Sequence, residues 1–286
     1  MCKNKIITKV TEPTEWVNSL VIVEKPNKLR ICLDPKHLNS SIKRSHYPMP
    51  TIEEVINDLS DVKYFSVFDA KDGYWHVKLT ERSSKLTTFN TPFGRYRWLR
   101  MPFGIKSASE EFQRRMHEAL EGLDGVQVIV DDILVYGRGQ DEASAIEDHD
   151  QNVIKLLERL KVKNIKLNPK KISFKQKQVK YMGHKLTDQG VKADEEKITA
   201  IKNMKTPQNL AELKTFLGMV TYLGKFLPNL SQETECLRQL EKKEVAWHWI
   251  EQHDAAVKRI KELVCQSPIL KYFNPKESLT IECDAS

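Results

Sequence analysis

Apolar and polar residues alternate over 16–25, WVNSLVIVEK, and again over 28–34, KLRICLD, with Pro-Asn between them. A period of two on both sides of a short turn predicts a β-hairpin. A helix start is predicted at HYPMPTIEEVINDLS, with Thr51 as N-cap, Glu54 three residues on, and Ile52, Val55, Ile56 and Leu59 on one face. The stretch 63–79, KYFSVFDAKDGYWHVKL, reads as β-rich and aromatic, broken by Gly73. FNTPFGRYRWLRMPFG (89–104) has the prolines and glycines of a loop and leads into a helix at 108–121, where Phe112, Met116 and Leu120 recur at a spacing of four. Two β-branched runs, VQVIV and ILVYG, then flank Asp131-Asp132, the spacing of a tight hairpin. An acidic linker (141–150) precedes a helix carrying Val153, Ile154, Leu156, Leu157 and Leu160, followed by a lysine-rich β segment that reaches KYMGHKL. From residue 194 the pattern becomes helical, with Asp194 and Thr206-Pro207 as caps and Leu210, Leu213, Phe216, Leu217 and Val220 as an apolar stripe. A further helix at 251–265 stops at Ser267-Pro268, and ESLTIECDAS closes the chain as a single strand pattern. The layout predicts an α+β fold with a helical appendage.

At 286 residues the chain can bury one large core or two to three smaller ones. No stretch approaches the roughly 20 apolar residues of a membrane span, and the start, MCKNKIITKV, lacks a secretory apolar segment. No membrane association is expected. Five scattered cysteines with no C-x-x-C pair argue against a disulfide framework or a zinc site, and point to an intracellular, reducing setting, with the cytoplasm expected. The net charge of +7 favours a polyanionic partner. Residues 161–180 sharpen this, carrying eight lysines and no acid, interleaved with Ile165, Leu167, Ile172, Phe174 and Val179. A basic face anchored in this way suits a phosphate backbone, although a solvated surface has the same composition.

Asp131 and Asp132 sit side by side in the apolar run QVIVDDILVYG. Asp-Asp is not a preferred hairpin dipeptide, and burying two like charges is costly. Either the pair is a solvated turn or a cation sits against it. Asp69, in FSVFDAKDGY, also ends an apolar run. Three carboxylates from two strand ends could hold two divalent cations roughly 3.5–4 Å apart, the arrangement that serves phosphoryl transfer.

Nine segments together resemble the reverse transcriptase of gypsy-type long-terminal-repeat retrotransposons, relatives of retroviral polymerases. They are LRICLDPKHLN, YPMPTIEEV, FSVFDAKDGYWHVKL, TTFNTPFGRYRWLRMPFGIKSASEEFQRRM, VIVDDILVYG, IKLNPKK, KYMGHKL, FLGMVTYLGKFLPNLS and DAS, in the family's order. The resemblance implies a right-hand polymerase fold, with fingers and palm over 1–190, a helical thumb over 191–270, and the start of a ribonuclease H-like domain over 271–286. It implies Asp69, Asp131 and Asp132 as metal-binding carboxylates of the palm, with Mg²⁺, or Mn²⁺ in its place. The Ala70 backbone and Asp72 would lie near the incoming triphosphate, and Tyr74 would be the aromatic gate that excludes a ribose 2′-hydroxyl. Lys25 and Arg30 would grip the triphosphate, Phe103 and Gly104 would lie beneath nucleotide and template, and Lys171 would donate a proton to pyrophosphate. Met182 and Gly183 would form the primer grip. The implied partners are an RNA or DNA template–primer, deoxynucleoside triphosphates and other products of the retroelement polyprotein.

The chain departs from the family pattern in places. Ile129 stands where the family usually has tyrosine, two residues before the aspartate pair, and Asn164 where glycine is common. The hairpin turn EKPNKLR is about one residue shorter than usual, which bears on the placement of Lys25. Little of the upstream fingers is expected here, and Asp284 matches the first carboxylate of ribonuclease H, with two residues after it. No ribonuclease H activity is therefore expected. The function expected is RNA-directed DNA polymerisation. The alternatives are an inactive element fragment that only binds nucleic acid, and a two-metal nuclease, which would leave Tyr74 and the triphosphate-gripping residues unexplained.

Overall fold

The first strand, β1 (Ile7–Val10), is followed by the expected hairpin of β2 (Ser19–Lys25) and β3 (Lys28–Asp34), paired from Ser19 with Asp34 to Lys25 with Lys28. The computed structural model describes residues 1–25, 28–274 and 278. The side chains of Lys25 and Lys28 lie outside the described residues, as does the strand expected at the end of the chain, Asp284 included. Helices α1 (Lys36–Ser41) and α2 (Ile52–Asn57) come next. The second begins at Thr51, whose hydroxyl accepts from the Glu54 N–H while the Glu54 carboxylate accepts from the Thr51 N–H.

Strand β4 (Val62–Asp69) ends earlier than the β-rich reading of 63–79 predicts. Asp72 takes a left-handed φ of 54°, and Gly73–His76 wind into a 3₁₀ turn. After α3 (Glu81–Leu86), strands β5 (Phe89–Thr91) and β6 (Gly94–Trp98) pair across Pro92-Phe93. The expected loop at 89–104 thus carries a hairpin, and its prolines and glycines belong to the turn and its exit. Helix α4 (Ala108–Leu120) matches its expected span and buries Phe112, Met116 and Leu120. Strands β7 (Val126–Ile129) and β8 (Asp132–Arg138) follow, then α5 (Glu142–Val162). This helix begins inside the expected acidic linker, because Asp141 and Ser144 cap each other and start it well before its expected apolar face at Val153.

Strands β9 (Ser173–Gln176), β10 (Gln178–Tyr181), β11 (His184–Thr187) and β12 (Gly190–Ala193) lead to the helical part: α6 (Glu195–Asn203), α7 (Leu210–Tyr222), α8 (Leu230–Gln239) and α9 (Glu251–Cys265). Asp194 caps α6 as expected. Asn209, not Thr206-Pro207, caps α7, and Leu210 is exposed while Leu213, Phe216, Leu217 and Val220 are buried. After α9 the chain returns to the sheet, where Leu270 and Val191 exchange backbone hydrogen bonds of 2.8 and 2.9 Å.

An antiparallel sheet in the order β7-β8-β4-β9 lies at the centre. Its period of two divides the side chains cleanly. Phe68, Ile133 and Val135 face α4 and α5 and pack with Phe112, Met116, Val153 and Leu156. Phe65, Leu134 and Tyr136 face the opposite way, into a cluster shared with α2, β10–β12 and the four helices α6–α9. A smaller cluster of Leu33, Phe89 and Trp98 serves the β1-β6-β5 sheet and the hairpin.

His149 on α5 is fully buried beneath the central sheet, with Nε2 2.8 Å from Ser66 Oγ and Nδ1 3.1 Å from Asp150 Oδ1. Burial pushes its pKa below the ordinary imidazole value, against the opposing pull of Asp150. Burial has the same effect on His76, His117, His184 and His253. Because the unfolded state binds protons first, this stability is present above about pH 6.5 and is lost as pH falls through the lowered folded-state values. Urea unfolding between pH 7.5 and about pH 5 should therefore show falling stability, and His149→Gln should reduce the slope by up to one proton. An unchanged slope would exclude His149 as a source of acid sensitivity.

Candidate functional site

The cluster face of the central sheet ends in carboxylates. Asp69, the last residue of β4, is the direct cross-strand neighbour of Asp132, the first of β8, and Asp132 also pairs with Ile129 on β7. Asp131 sits at the tip, where its carbonyl accepts from the Ala70 N–H at 2.8 Å. The turn dipeptide is consequently Val130-Asp131, not Asp131-Asp132: the second aspartate is held in the ladder by strands on both sides. This shift leaves Val130 with a φ of 55°, a conformation that costs a β-branched residue about 1–2 kcal/mol. Gln113, fully buried on α4, braces the turn. Its Oε1 accepts from Val130 N–H at 2.6 Å, and its Nε2 donates to the Val128 carbonyl at 2.8 Å.

Like charges directly opposite one another on a sheet repel. Burial, reinforced by the neighbouring carboxylates, raises the pKa of Asp131 and of Asp132 above the usual carboxylate range. Asp69 is buried and bound on both oxygens: the Lys171 ammonium pairs with Oδ2, and Asn168 Nδ2 donates to Oδ1 at 3.3 Å. The Asp69 partner in turn holds the Lys171 pKa above its ordinary value. Among the described residues no three His, Cys, Asp or Glu side chains form a ready-made metal cage. The donor chemistry nevertheless fits a hard divalent cation, since adjacent carboxylates crowd one another and Lys171 supplies the nearest compensating charge.

A cavity of about 420 Å³ opens beside these groups, lined by Asp69, Asp131 and Lys171 together with Arg30 and Phe103. The Arg30 guanidinium lies 4.8 Å from the centre of the Phe103 ring, and the Tyr74 ring lies 5.0 Å from the same ring. Tyr74 is pinned by Phe112 at 5.6 Å and by a 2.6 Å hydrogen bond between its hydroxyl and Ser109 Oγ. Gly104, at φ 106°, must be glycine, because a Cβ there would run into the Leu33 carbonyl. Ala70 and Asp72 line the cavity. The Ala70 N–H is committed to Asp131 and the Lys71 N–H to Lys166, so the backbone donors left for a ligand are those of Asp72 and Gly73. Lys25 ends β2, and its side chain lies outside the described residues.

Met182 and Gly183 form the two-residue turn between β10 and β11, with φ of 47° and 77°. Neither lines the first cavity; Met182 lines, with Ile129 and Tyr222, a second one of about 400 Å³. A Cβ on Gly183 would strike the Tyr222 hydroxyl. Tyr181, one residue earlier, donates its hydroxyl to the Asp132 carbonyl at 3.1 Å and so ties this turn to the carboxylates. Asparagine suits a left-handed first turn position better than methionine does. Met182→Asn should therefore raise the melting temperature by about 1–3 °C in a thermal scan; a lower value would mean that methionine is held there by packing.

The family described as reverse transcriptase (RNA-dependent DNA polymerase) matches residues 22–186. The chain belongs to the reverse transcriptase family. It is 32% identical over 269 residues to the transposon Tf2-3 polyprotein of Schizosaccharomyces pombe (strain 972), covering 93% of this chain and 20% of that relative. The Tf2-7 polyprotein of the same organism matches at the same identity and coverage. The chain thus spans about a fifth of the length of the curated relatives it matches. Among solved structures, the foamy viral protease–reverse transcriptase in complex with dsDNA superimposes with a TM-score of 0.87, at 22% identity over 96% of this chain and 57% of that one. The same viral protein in complex with RNA/DNA hybrid gives 0.82, at 22% identity over 95% of this chain and 36% of that one. These likenesses show the fold, an α+β right-hand polymerase.

In this reverse transcriptase chain, sequence reasoning passed over Gln113, Asn168 and Tyr181. Gln113 left a legible trace, as a polar residue between Phe112 and Met116 on a helix face that is otherwise apolar. The other two act through tertiary contacts. The lysine-rich segment is not one uniform basic face. Lys171, Lys175, Lys177 and Lys180 each pair with a carboxylate, whereas Lys161, Lys163, Lys166 and Lys170 have no such partner among the described residues.

Proposed function

We propose that this reverse transcriptase chain is an RNA-directed DNA polymerase that extends a DNA primer on an RNA or DNA template. The primer 3′-hydroxyl attacks the α-phosphate of a deoxynucleoside triphosphate, a phosphodiester forms, and pyrophosphate leaves. The reading rests on one observation above all: strand register sets Asp69 beside Asp132, and Asp69 and Asp131 line a cavity that Arg30 also lines. Asp69, Asp131 and Asp132 would hold Mg²⁺, or Mn²⁺, and these ions supply a lower pKa at the attacking hydroxyl and charge neutralisation on the leaving group. Arg30 and Lys25 bind the triphosphate, and the Asp72 and Gly73 N–H groups donate to its oxygens. Lys171, kept protonated by Asp69, gives its Nζ proton to pyrophosphate. The Tyr74 ring, braced by Phe103 and Phe112, closes the space a ribose 2′-hydroxyl would need. Met182 and Gly183 position the primer end from the opposite side.

Fingers and palm occupy residues 1–190 in this reading, and the helical thumb follows. Strand β12 begins at Gly190, and the thumb of this reading, residues 191–270, carries helices α6–α9. Thumb and basic segment hold the template–primer by its phosphates, with affinity that falls with salt.

Extension of a DNA primer on an RNA template, with Mg²⁺ or Mn²⁺ and with Asp131→Asn in parallel, tests the proposal. Metal-dependent extension lost in the variant is expected. Salt-sensitive duplex binding without extension under either metal would sink it and leave a nucleic-acid-binding fragment.

A further inference from the structure

A separate cavity of about 480 Å³ lies next to the candidate site and shares Lys71, Asp72 and Trp75 with it. Its remaining lining brings in Arg100, Lys163 and Lys166, so that four basic side chains line it against one acid, Asp72. None of the four has a carboxylate partner among the described residues, although Lys171, Lys175, Lys177 and Lys180 later in the same segment are each paired. Like charges left together around a concavity repel one another until a counter-charge arrives.

The walls are fixed before any ligand binds. The Lys71 N–H donates to the Lys166 carbonyl at 2.8 Å and joins the two sides. Asn164, at φ 54°, turns the chain after α5, and Lys163 and Lys166 on either side of it both line the cavity. Arg100 Nη1 donates to the His76 carbonyl at 3.3 Å, and His76 Nε2 lies 2.9 Å from the Lys71 carbonyl. In the shared wall the buried indole N–H of Trp75 has no acceptor, a deficit that costs about 1–3 kcal/mol unless one is supplied. The volume falls in the range of small-ligand sites, about 300–1,000 Å³.

We propose that this cavity is a polyphosphate-binding site distinct from the carboxylate site, taking the pyrophosphate released by nucleotide addition or the phosphate tail of a free nucleotide. Its place in turnover rests on the polymerase reading above; the binding itself does not. No metal is needed at this site, because its charge is cationic, whereas the carboxylate site repels anions when stripped of metal.

Calorimetry in EDTA, without primer or template, isolates this site from catalysis, so it can fail or succeed independently of primer extension. Pyrophosphate and dATP should each bind once, at least tenfold more tightly than sulfate. Pyrophosphate binding tenfold tighter than dATP assigns the cavity to product; equal or weaker binding assigns it to the incoming nucleotide. Lys166→Gln should weaken pyrophosphate binding by about tenfold and Lys163→Glu/Lys166→Glu by about a hundredfold, as expected for lost charge-assisted contacts. Both lysines are exposed, and an unchanged melting temperature certifies the fold. Arg30→Ala, in the other cavity, should change the affinity by less than twofold. Pyrophosphate should still bind when an RNA/DNA duplex is present. Absence of saturable binding, indifference to both lysine variants, or displacement by the duplex would overturn the proposal, the last in favour of a contact to the nucleic-acid backbone.

Discussion

Asp132→Asn should abolish metal-dependent primer extension, by about a thousandfold or more, while making the metal-free protein slightly more stable. The two effects share one cause. Asp132 faces Asp69 across adjacent strands and adjoins Asp131, and burial with the Asp69 charge lifts its pKa. Replacing it with the isosteric amide removes a cross-strand repulsion worth roughly 0.2–1 kcal/mol, which corresponds to a rise of about 1–3 °C in melting temperature in EDTA. Mg²⁺ should raise the melting temperature of the wild type and have a much smaller effect on the variant, because a cation that binds only the folded chain stabilises it by mass action. Extension assays and thermal scans on the same samples check both effects. A variant that keeps activity would show that the Asp132 carboxylate is not required, and one that loses activity along with stability in EDTA would show that it acts through structure alone.

Tyr74→Ala should lower discrimination against ribonucleotides by about a hundredfold, read as the ratio of kcat/KM values for a deoxynucleotide and its ribose counterpart. The ring is wedged between Phe103 and Phe112, so its removal opens room next to the cavity wall and also costs packing, about 3–5 kcal/mol for a buried aromatic and less for this half-buried one. Tyr74→Phe separates the two contributions. It loses only the hydrogen bond to Ser109 Oγ and should keep the discrimination, since the ring and not the hydroxyl fills the space. Loss of discrimination in Tyr74→Phe would transfer the gating role to the hydroxyl.

Much of this site was legible because alternation in a strand is local. FSVFD and DDILVYG each read as an apolar run ending in carboxylates, and the register places those ends side by side. The turn was misplaced by one residue, since its position depends on Asp132 being paired from both sides, a fact about the sheet and not about the dipeptide. The acidic stretch at 141–150 reads as a linker by composition, yet two side chains, Asp141 and Ser144, suffice to start a helix there. The lysine segment shows the sharper limit. Lys175, Lys177 and Lys180 are neutralised by Asp150, Glu142 and Asp194, which arrive from elsewhere in the fold. Which lysines stay unpaired is therefore a tertiary property, invisible to any count of charge along the chain.

The apolar clusters divide the molecule unevenly. Helices α6–α9 share their core with Val55 and Leu59 and with Phe65 of the central sheet, and the exchange between Leu270 and Val191 fastens the chain's return to the same body. These helices are in that sense no appendage: they cannot melt without stripping one face of the sheet that carries the carboxylates. The β1-β6-β5 sheet and the hairpin rely on the small cluster of Leu33, Phe89 and Trp98, a modest reserve of buried area. Loss of order should therefore begin at the hairpin end and reach the aspartates last, leaving a partly opened chain whose carboxylate-bearing strands are still paired.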